Sequence, residues 1–129
     1  MAESVKLQNN RYWDLSSIKG SSETTITFTA DTTYVSNAYN IRVRKSLNNV
    51  LMQVSASLKA LTVSTSAYTI GTIPSEYAPA YSVNFILTKS NSPVILLGQI
   101  TANGNVQVFN LNQDTAAGWY DGSVMWFNA

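Results

Sequence analysis

The sequence predicts an all-β fold, an antiparallel β-sandwich or jelly-roll-like barrel, over residues 23–129. From Glu23 onward, apolar and polar residues alternate with a period of two, and β-branched and aromatic residues are enriched. Clusters of Asn, Ser, Gly and Pro interrupt this pattern about every dozen residues, a spacing typical of sandwiches and barrels. Residues 1–22 are polar and lack the alternation, so we expect an N-terminal arm or linker there.

The alternating segments define eight predicted strands. They cover residues 25–29, 39–45, 50–61, 68–72, 82–88, 94–102, 105–110 and 123–128. Only residues 50–61 also allow a marginal helical interpretation, and there the alternation of Val50, Met52 and Val54 with polar neighbours favours a strand.

Two turns can be assigned a register, because a shift of one residue would move every apolar side chain to the wrong face. A four-residue loop at 46–49 sets Val43 opposite Met52 and Ile41 opposite Val54, and it sends Arg42, Arg44 and Gln53 to the other face. At Asn103-Gly104-Asn105, a three-residue loop sets Ile100 opposite Val108 and Ala102 opposite Val106. There we expect a positive φ at Gly104 or Asn105.

The last predicted strand departs from the alternation, because Val124, Met125, Trp126 and Phe127 are apolar on both faces. Two explanations remain open: a central strand covered on both sides, or a strand at a subunit interface.

Composition excludes several classes of protein. Charged residues make up 12% of the chain, about half of the roughly 25% of an average soluble domain. A net charge of +1 offers no basic stripe for nucleic acid, so we expect no nucleic-acid partner. No run approaches the roughly 20 apolar residues of a membrane-spanning helix, and no signal peptide is recognisable, so we expect neither membrane insertion nor classical secretion.

The same composition argues against an enzyme. The chain has no His and no Cys, which removes the common metal ligands and nucleophile-base pairs, and we expect no cofactor or metal. A carboxylate pair of the glycosidase kind remains conceivable among Glu76, Asp114 and Asp121. These acids lie in loop-like contexts, where solvated turn-forming carboxylates are the ordinary interpretation.

Aromatic residues give the most specific site prediction. Trp119, Tyr120 and Asp121 stand between two glycines, and Tyr77 flanks a Pro-containing turn. An aromatic ring with a polar tip suits the apolar face and hydroxyl rim of a sugar, and a neighbouring carboxylate can accept hydrogen bonds from hydroxyl groups. Arg42 and Arg44 are candidates for an anionic group. The alternative is that these aromatics plug the end of the sandwich and that the arginines are solvated.

Several motifs together resemble the C-terminal head domain of receptor-binding and baseplate tail proteins of phages that infect Gram-positive bacteria. They are Asn-Ile-Arg-Val-Arg-Lys at 40–45, Val-Ser-Ala-Ser-Leu-Lys at 54–59, Ile-Gly-Thr-Ile-Pro-Ser-Glu-Tyr-Ala-Pro at 70–79, the hairpin at 100–108 and the polar segment at 7–17. In the third motif Pro74 and Pro79 fix φ and remove donors, which is typical of a rigid crossover between strands.

The resemblance implies a homotrimer of jelly-roll-like heads at the tail tip or baseplate of a virion. Such a head adheres to host cell-wall saccharide without catalysis and contacts other phage tail or baseplate proteins. The alternative function is a structural baseplate or tail-fibre component that makes protein-protein contacts. The saccharide-site candidates Trp119, Tyr120, Asp121, Tyr77, Arg42 and Arg44 come from the chemistry of the residues, not from the resemblance.

Overall fold

The computed structural model describes residues 23–38 and 40–129, and the predicted arm at 1–22 lies outside this range. The described chain forms ten antiparallel strands and a short 3-10 helix, Ser75–Tyr77. The strands are β1 Glu23–Ile26, β2 Thr29–Ala30, β3 Val35–Asn37, β4 Arg42–Ser46, β5 Asn49–Leu58, β6 Tyr68–Thr72, β7 Val83–Lys89, β8 Ile95–Ile100, β9 Asn105–Phe109 and β10 Gly118–Phe127. The predicted all-β class is confirmed.

All strands belong to one sheet in the order β1-β4-β5-β10-β7-β8-β9-β6-β2. Strand β3 pairs with the C-terminal end of β5, beyond the part of β5 that pairs with β4. The two end strands of this order, β1 and β2, are separated along the chain only by Thr27 and Phe28. Such a short connection holds the two edges within about 11 Å of each other. The sheet therefore curls on itself, and its concave side encloses the core.

Alternation along each strand fills that core. The inward residues of β5 are Val50, Met52, Val54, Ala56 and Leu58, all of them buried. Leu87 of β7, Leu96 and Ile100 of β8, and Val106 and Val108 of β9 complete the same buried cluster. All these strands turn apolar side chains inward. Differences in side-chain chemistry between parts of the sheet are therefore found among the outward residues.

The β4–β5 hairpin confirms the predicted register, since Val43 pairs with Met52. Pairing continues to Ser46 and Asn49, so the loop itself is the two residues Leu47 and Asn48. Ladder pairing stops at Arg42 opposite Gln53, and Ile41 packs against the core from outside the strand.

The β8–β9 register was predicted wrongly by two residues, because Ile100 pairs with Val106 and Gly98 with Val108. The loop has three residues as expected, but it consists of Ala102, Asn103 and Gly104, with the Thr101 N–H donating to the Asn105 carbonyl at 3.0 Å. Gly104 takes the positive φ, +90°. The face predicted for each side chain was correct although the paired residues were not, because a shift of two residues leaves every side chain on its own face.

The largest further differences from the predicted strands concern β1 and β2, β3, and β10. The strand expected at 25–29 divides into β1 and β2, because this segment serves both edges of the sheet. Strand β3 was not predicted. Strand β10 begins five residues before the predicted start at 123, pairing from Gly118 opposite Leu58. A Cβ at Gly122 would lie 2.4 Å from the Ile86 carbonyl oxygen, so this glycine permits a close approach of β10 to β7 rather than marking a loop.

Candidate functional site

Strand β10 lies between β5 and β7, and its side chains alternate between the core and solvent. Tyr120 and Trp126 point inward and are buried. The outward, exposed residues are Trp119, Asp121, Ser123, Met125 and Phe127. The last four residues of the strand are apolar on both faces, yet no described residue covers the outer one. The explanation by a central strand covered on both sides is therefore wrong: β10 is central in the sheet, but Met125 and Phe127 are exposed on its outer side. Contact with another subunit stays a prediction.

The register aligns these outward side chains with those of β5 and β4. Trp119 is opposite Ser57, and Asp121 is opposite Ser55 on one side and Thr88 on the other. The next row consists of Ser123, Gln53 and Arg42. Rows lie about 7 Å apart and strands about 4.8 Å apart. We call this surface the polar face; its residues are Trp119, Asp121, Ser123, Ser57, Ser55, Gln53 and Arg42.

Trp119 and Asp121 are both fixed by Ser90, the residue after β7. The Ser90 N–H donates to the Trp119 carbonyl at 2.9 Å, and the Ser90 hydroxyl donates to Asp121 Oδ2 at 3.0 Å. The Trp119 side chain is 38% exposed, so part of its ring is open to solvent. An aromatic surface and a hydrogen-bonded carboxylate thus lie on the same face, two residues apart.

Arg42 and Arg44 extend from β4 toward the outer surface, as the register predicted. Arg44 Nη1 lies 3.2 Å from Glu23 Oε2, and Arg44 Nη2 donates to Gln53 Oε1 at 3.1 Å. Arg42 is exposed and has no ion pair or side-chain hydrogen bond within the described part of the chain. Its positive charge is therefore available to an anionic group at the edge of the polar face.

Tyr120 does not belong to this site, so its prediction as a saccharide contact is wrong. The side chain is fully buried, because β10 already runs as a strand here and alternation turns Tyr120 away from its neighbours. Its hydroxyl is buried and has no hydrogen-bond partner among the described residues.

Tyr77 is also separate from the polar face. It ends the 3-10 helix and packs partly buried against the core, where its carbonyl accepts a hydrogen bond of 2.8 Å from Trp126 Nε1. Trp126 lies seven residues along β10 from Trp119, which corresponds to about 24 Å in an extended strand. The Pro-flanked segment therefore closes the opposite end of the sheet.

The sequence analysis missed a hollow of about 280 Å³ beside the polar face, at the β4–β5 turn. We call it the turn hollow; its lining residues are Glu23, Arg44, Ser46, Leu47, Asn49, Leu51 and Met125. Sequence offered no signal for it, because Leu51 lies beside Met125 only through the pairing of β5 with β10.

The outer side of β7, β8 and β9 forms a different surface. Ile86 pairs with Leu97, and Leu97 pairs with Phe109, so three apolar side chains form a row across the strands. Ile95 and Leu111 are exposed beside this row, and the five residues line a shallow hollow of about 170 Å³ with Asn112. We call Ile86, Ile95, Leu97, Phe109 and Leu111 the apolar face.

The acids considered for catalysis lie on three different elements. Glu76 is in the 3-10 helix and Asp121 is on β10. Asp114 lies in the loop before β10, where its Oδ1 accepts a hydrogen bond from the Val63 N–H. Within residues 23–38 and 40–129, no group of three or more His, Cys, Asp or Glu side chains is arranged to hold a metal ion.

Over the same described residues, no helix is long and apolar enough to span a bilayer. No protein-family model matches the chain, and no curated protein matches it significantly.

Proposed function

We propose that this chain is a non-catalytic, saccharide-binding adhesion domain of a phage tail receptor-binding protein, carried at the tail tip or baseplate of the virion. The observation that carries the proposal is the shared location of Trp119, Asp121 and Arg42 on one outer face of the sheet. The phage assignment comes from the sequence motifs, whereas the saccharide assignment comes from the chemistry of this face.

The polar face suits an open saccharide chain. The exposed part of Trp119 can pack against the apolar C–H face of a sugar ring. Asp121, Ser55, Ser57 and Gln53 supply acceptors and donors for hydroxyl groups at strand and row spacings of about 5 to 7 Å. Arg42 adds a cation for a phosphate or carboxylate substituent. The polar face carries few charged side chains, which suits a neutral or weakly anionic polymer.

A single open face of this kind binds weakly, so assembly would contribute to adhesion. The apolar face on β7, β8 and β9 supports a homotrimer, because it is an exposed apolar surface that sister copies can cover. Its central residue Leu97 lies on β8, two strands away from Trp119 and Asp121 on β10, so we expect subunit contact there to leave the saccharide site open. Several sites on one virion then act together through their high effective concentration.

The test compares the native protein with Trp119→Ala, using wall polysaccharides from Gram-positive bacteria on an array and in titration calorimetry. We expect the native protein to bind at least one of these polymers and Trp119→Ala to lose roughly tenfold or more in affinity, about 1.4 kcal/mol. Tyr81→Ala is the matched control, because Tyr81 is an aromatic residue that is 85% exposed and lies outside the polar face. Absence of binding by the native protein, or equal losses in the two variants, would overturn the proposal.

A structural baseplate or tail-fibre component is the second candidate, and the exposed apolar face is the observation that favours it. In that case the face contacts another tail protein. Pull-down with the other tail proteins distinguishes the two: capture that depends on Leu97 and Phe109, together with no binding to any polysaccharide, supports the structural function.

A further inference from the structure

The turn hollow contains an apolar residue in an unfavourable backbone conformation. Leu47 is the first of the two loop residues of the β4–β5 hairpin, and its φ is +56°. This position of a two-residue loop normally takes glycine or asparagine, and a left-handed conformation costs another residue roughly 1–2 kcal/mol. The Leu47 side chain is 62% exposed, so core packing does not offset this cost.

Strain of this kind, at an exposed apolar residue that lines a hollow, indicates a binding role. Leu51 of β5 also lines the hollow, and Met125 is directly opposite Leu51 on β10. Leu47, Leu51 and Met125 therefore offer three apolar side chains to one ligand group.

The rim of the hollow is polar. Its polar and charged lining residues are Ser46 and Asn49, the last paired residues of the hairpin, together with Arg44 and Glu23. Arg44 is held in place by Glu23 and Gln53, and its five N–H groups exceed what these two contacts require. A ligand group that matches this lining has a small apolar part and a hydrogen-bond acceptor, which describes an acyl group.

The hollow is continuous with the polar face. Gln53, which binds Arg44, lies in the row of Arg42 and Ser123, and the row of Arg44, Leu51 and Met125 follows about 7 Å further along the strands. A sugar ring on the first row can therefore place a substituent in the second. The volume of about 280 Å³ is more than an acetyl group fills, so part of the ring can enter as well.

We propose that the turn hollow selects acylated sugars, such as N-acetyl amino sugars, by binding the acyl group between Leu47 and Met125 and its carbonyl oxygen at the rim. This inference rests on the proposed saccharide-binding function and names the ligand class of its site.

The test measures the binding of two neutral oligosaccharides of the same length and linkage by calorimetry and ligand-observed NMR. One is built of N-acetylglucosamine and the other of glucose, so that they differ only in the acetamido group. We expect the native protein to bind the acetylated oligomer roughly tenfold more tightly. Leu47→Gly and Met125→Ser should each bring the two affinities to within about threefold, mainly by weakening the binding of the N-acetylglucosamine oligomer.

We expect both variants to fold, so a change in their binding reports on the hollow and not on unfolding. Glycine suits the positive φ at residue 47, so Leu47→Gly should unfold at an equal or higher urea concentration than the native protein. Met125 is an exposed strand residue, where substitution is normally tolerated.

Equal binding of the two oligomers, a preference that survives in both variants, or no binding of either oligomer would overturn the acyl inference. The proposed function fails separately, if the native protein binds none of the wall polysaccharides in the array. A protein that binds a polysaccharide but does not discriminate between the oligomers retains the function and loses only the acyl site.

Discussion

The polar face and the apolar face belong to one curled sheet and cover one core, yet the outward rows that define them differ in chemistry. The polar face on β10, β5 and β4 consists of Ser, Gln, Asp, Arg and one Trp, with the apolar Leu51, Met125 and Phe127 beyond it, whereas on β7, β8 and β9 the central row is Ile86, Leu97 and Phe109. Inward residues on both sides are equally apolar and equally buried. The difference therefore does not arise from folding requirements, and it agrees with the proposal that the polar face binds a sugar and the apolar face contacts protein.

The largest expected effect comes from breaking the apolar face. Leu97→Asp puts a charge in the middle of the row between Ile86 and Phe109, where subunit contact would desolvate it. We expect the native protein to be the proposed homotrimer and the variant to be a single chain of 14.1 kDa, both measured by light scattering at micromolar concentration.

Ser123→Asp is the matched control, because it introduces the same charge at an exposed strand position of the polar face. It should leave the mass unchanged. A native protein that is already a single chain, or a Leu97→Asp variant that keeps its assembly, would contradict the assignment of the apolar face to subunit contact.

An intermediate effect is expected at Tyr120, which sharpens the contrast between the two sides of β10. The Tyr120 hydroxyl is buried without a partner among the described residues, and such a group costs roughly 1–3 kcal/mol. Tyr120→Phe should therefore raise the free energy of unfolding by about 1 kcal/mol in urea denaturation and leave saccharide binding unaltered. A loss of stability of similar size would show that the hydroxyl makes a hydrogen bond, and a loss of binding would return Tyr120 to the site.

The smallest effect is expected at Asp31, which lies on neither face. The Thr33 N–H donates to Asp31 Oδ1 at 2.9 Å, and this hydrogen bond lowers the pKa of the carboxyl below its ordinary value of 3.8. A depressed folded-state pKa contributes stability above the unfolded value, and that contribution disappears as pH falls through the folded value.

Asp31→Asn should therefore unfold at a slightly lower urea concentration than the native protein at neutral pH. The difference should vanish in acid well below pH 3.8, and neither saccharide binding nor mass should change. A difference that persists unchanged in acid would mean that the charge of Asp31 does not stabilise this turn.

Much of the polar face was predictable from local pattern. The parity of the β4–β5 hairpin placed Arg42, Arg44 and Gln53 on the side opposite to Val43, and the structure agrees. Trp119 and Asp121 were nominated for their chemistry alone. Their common face with Arg42 was not predictable, because it depends on β5 pairing with β10, whose paired residues, from Gly118 with Leu58 to Phe127 with Asn49, are 60 to 78 positions apart in the chain.

Two glycines caused the start of β10 to be predicted wrongly. Gly118 and Gly122 resembled the borders of a loop, and this interpretation hid the alternation that buries Tyr120 and exposes its two neighbours. Both glycines are strand residues, and at Gly122 the missing side chain makes room for the backbone of β7. Whether a glycine marks a turn or a close contact depends on the neighbouring strand, which local sequence does not contain.

The sequence by itself determined the all-β class, the inward and outward side of most strands and the β4–β5 register, because alternation and turn chemistry are local properties of the chain. Only the tertiary structure decided strand order, the β8–β9 register, the division of residues 23–30 between two edges and the neighbours of each outward side chain. These features depend on which strands pair across long separations, and any register shift of two residues preserves the hydrophobic pattern from which the sequence is interpreted.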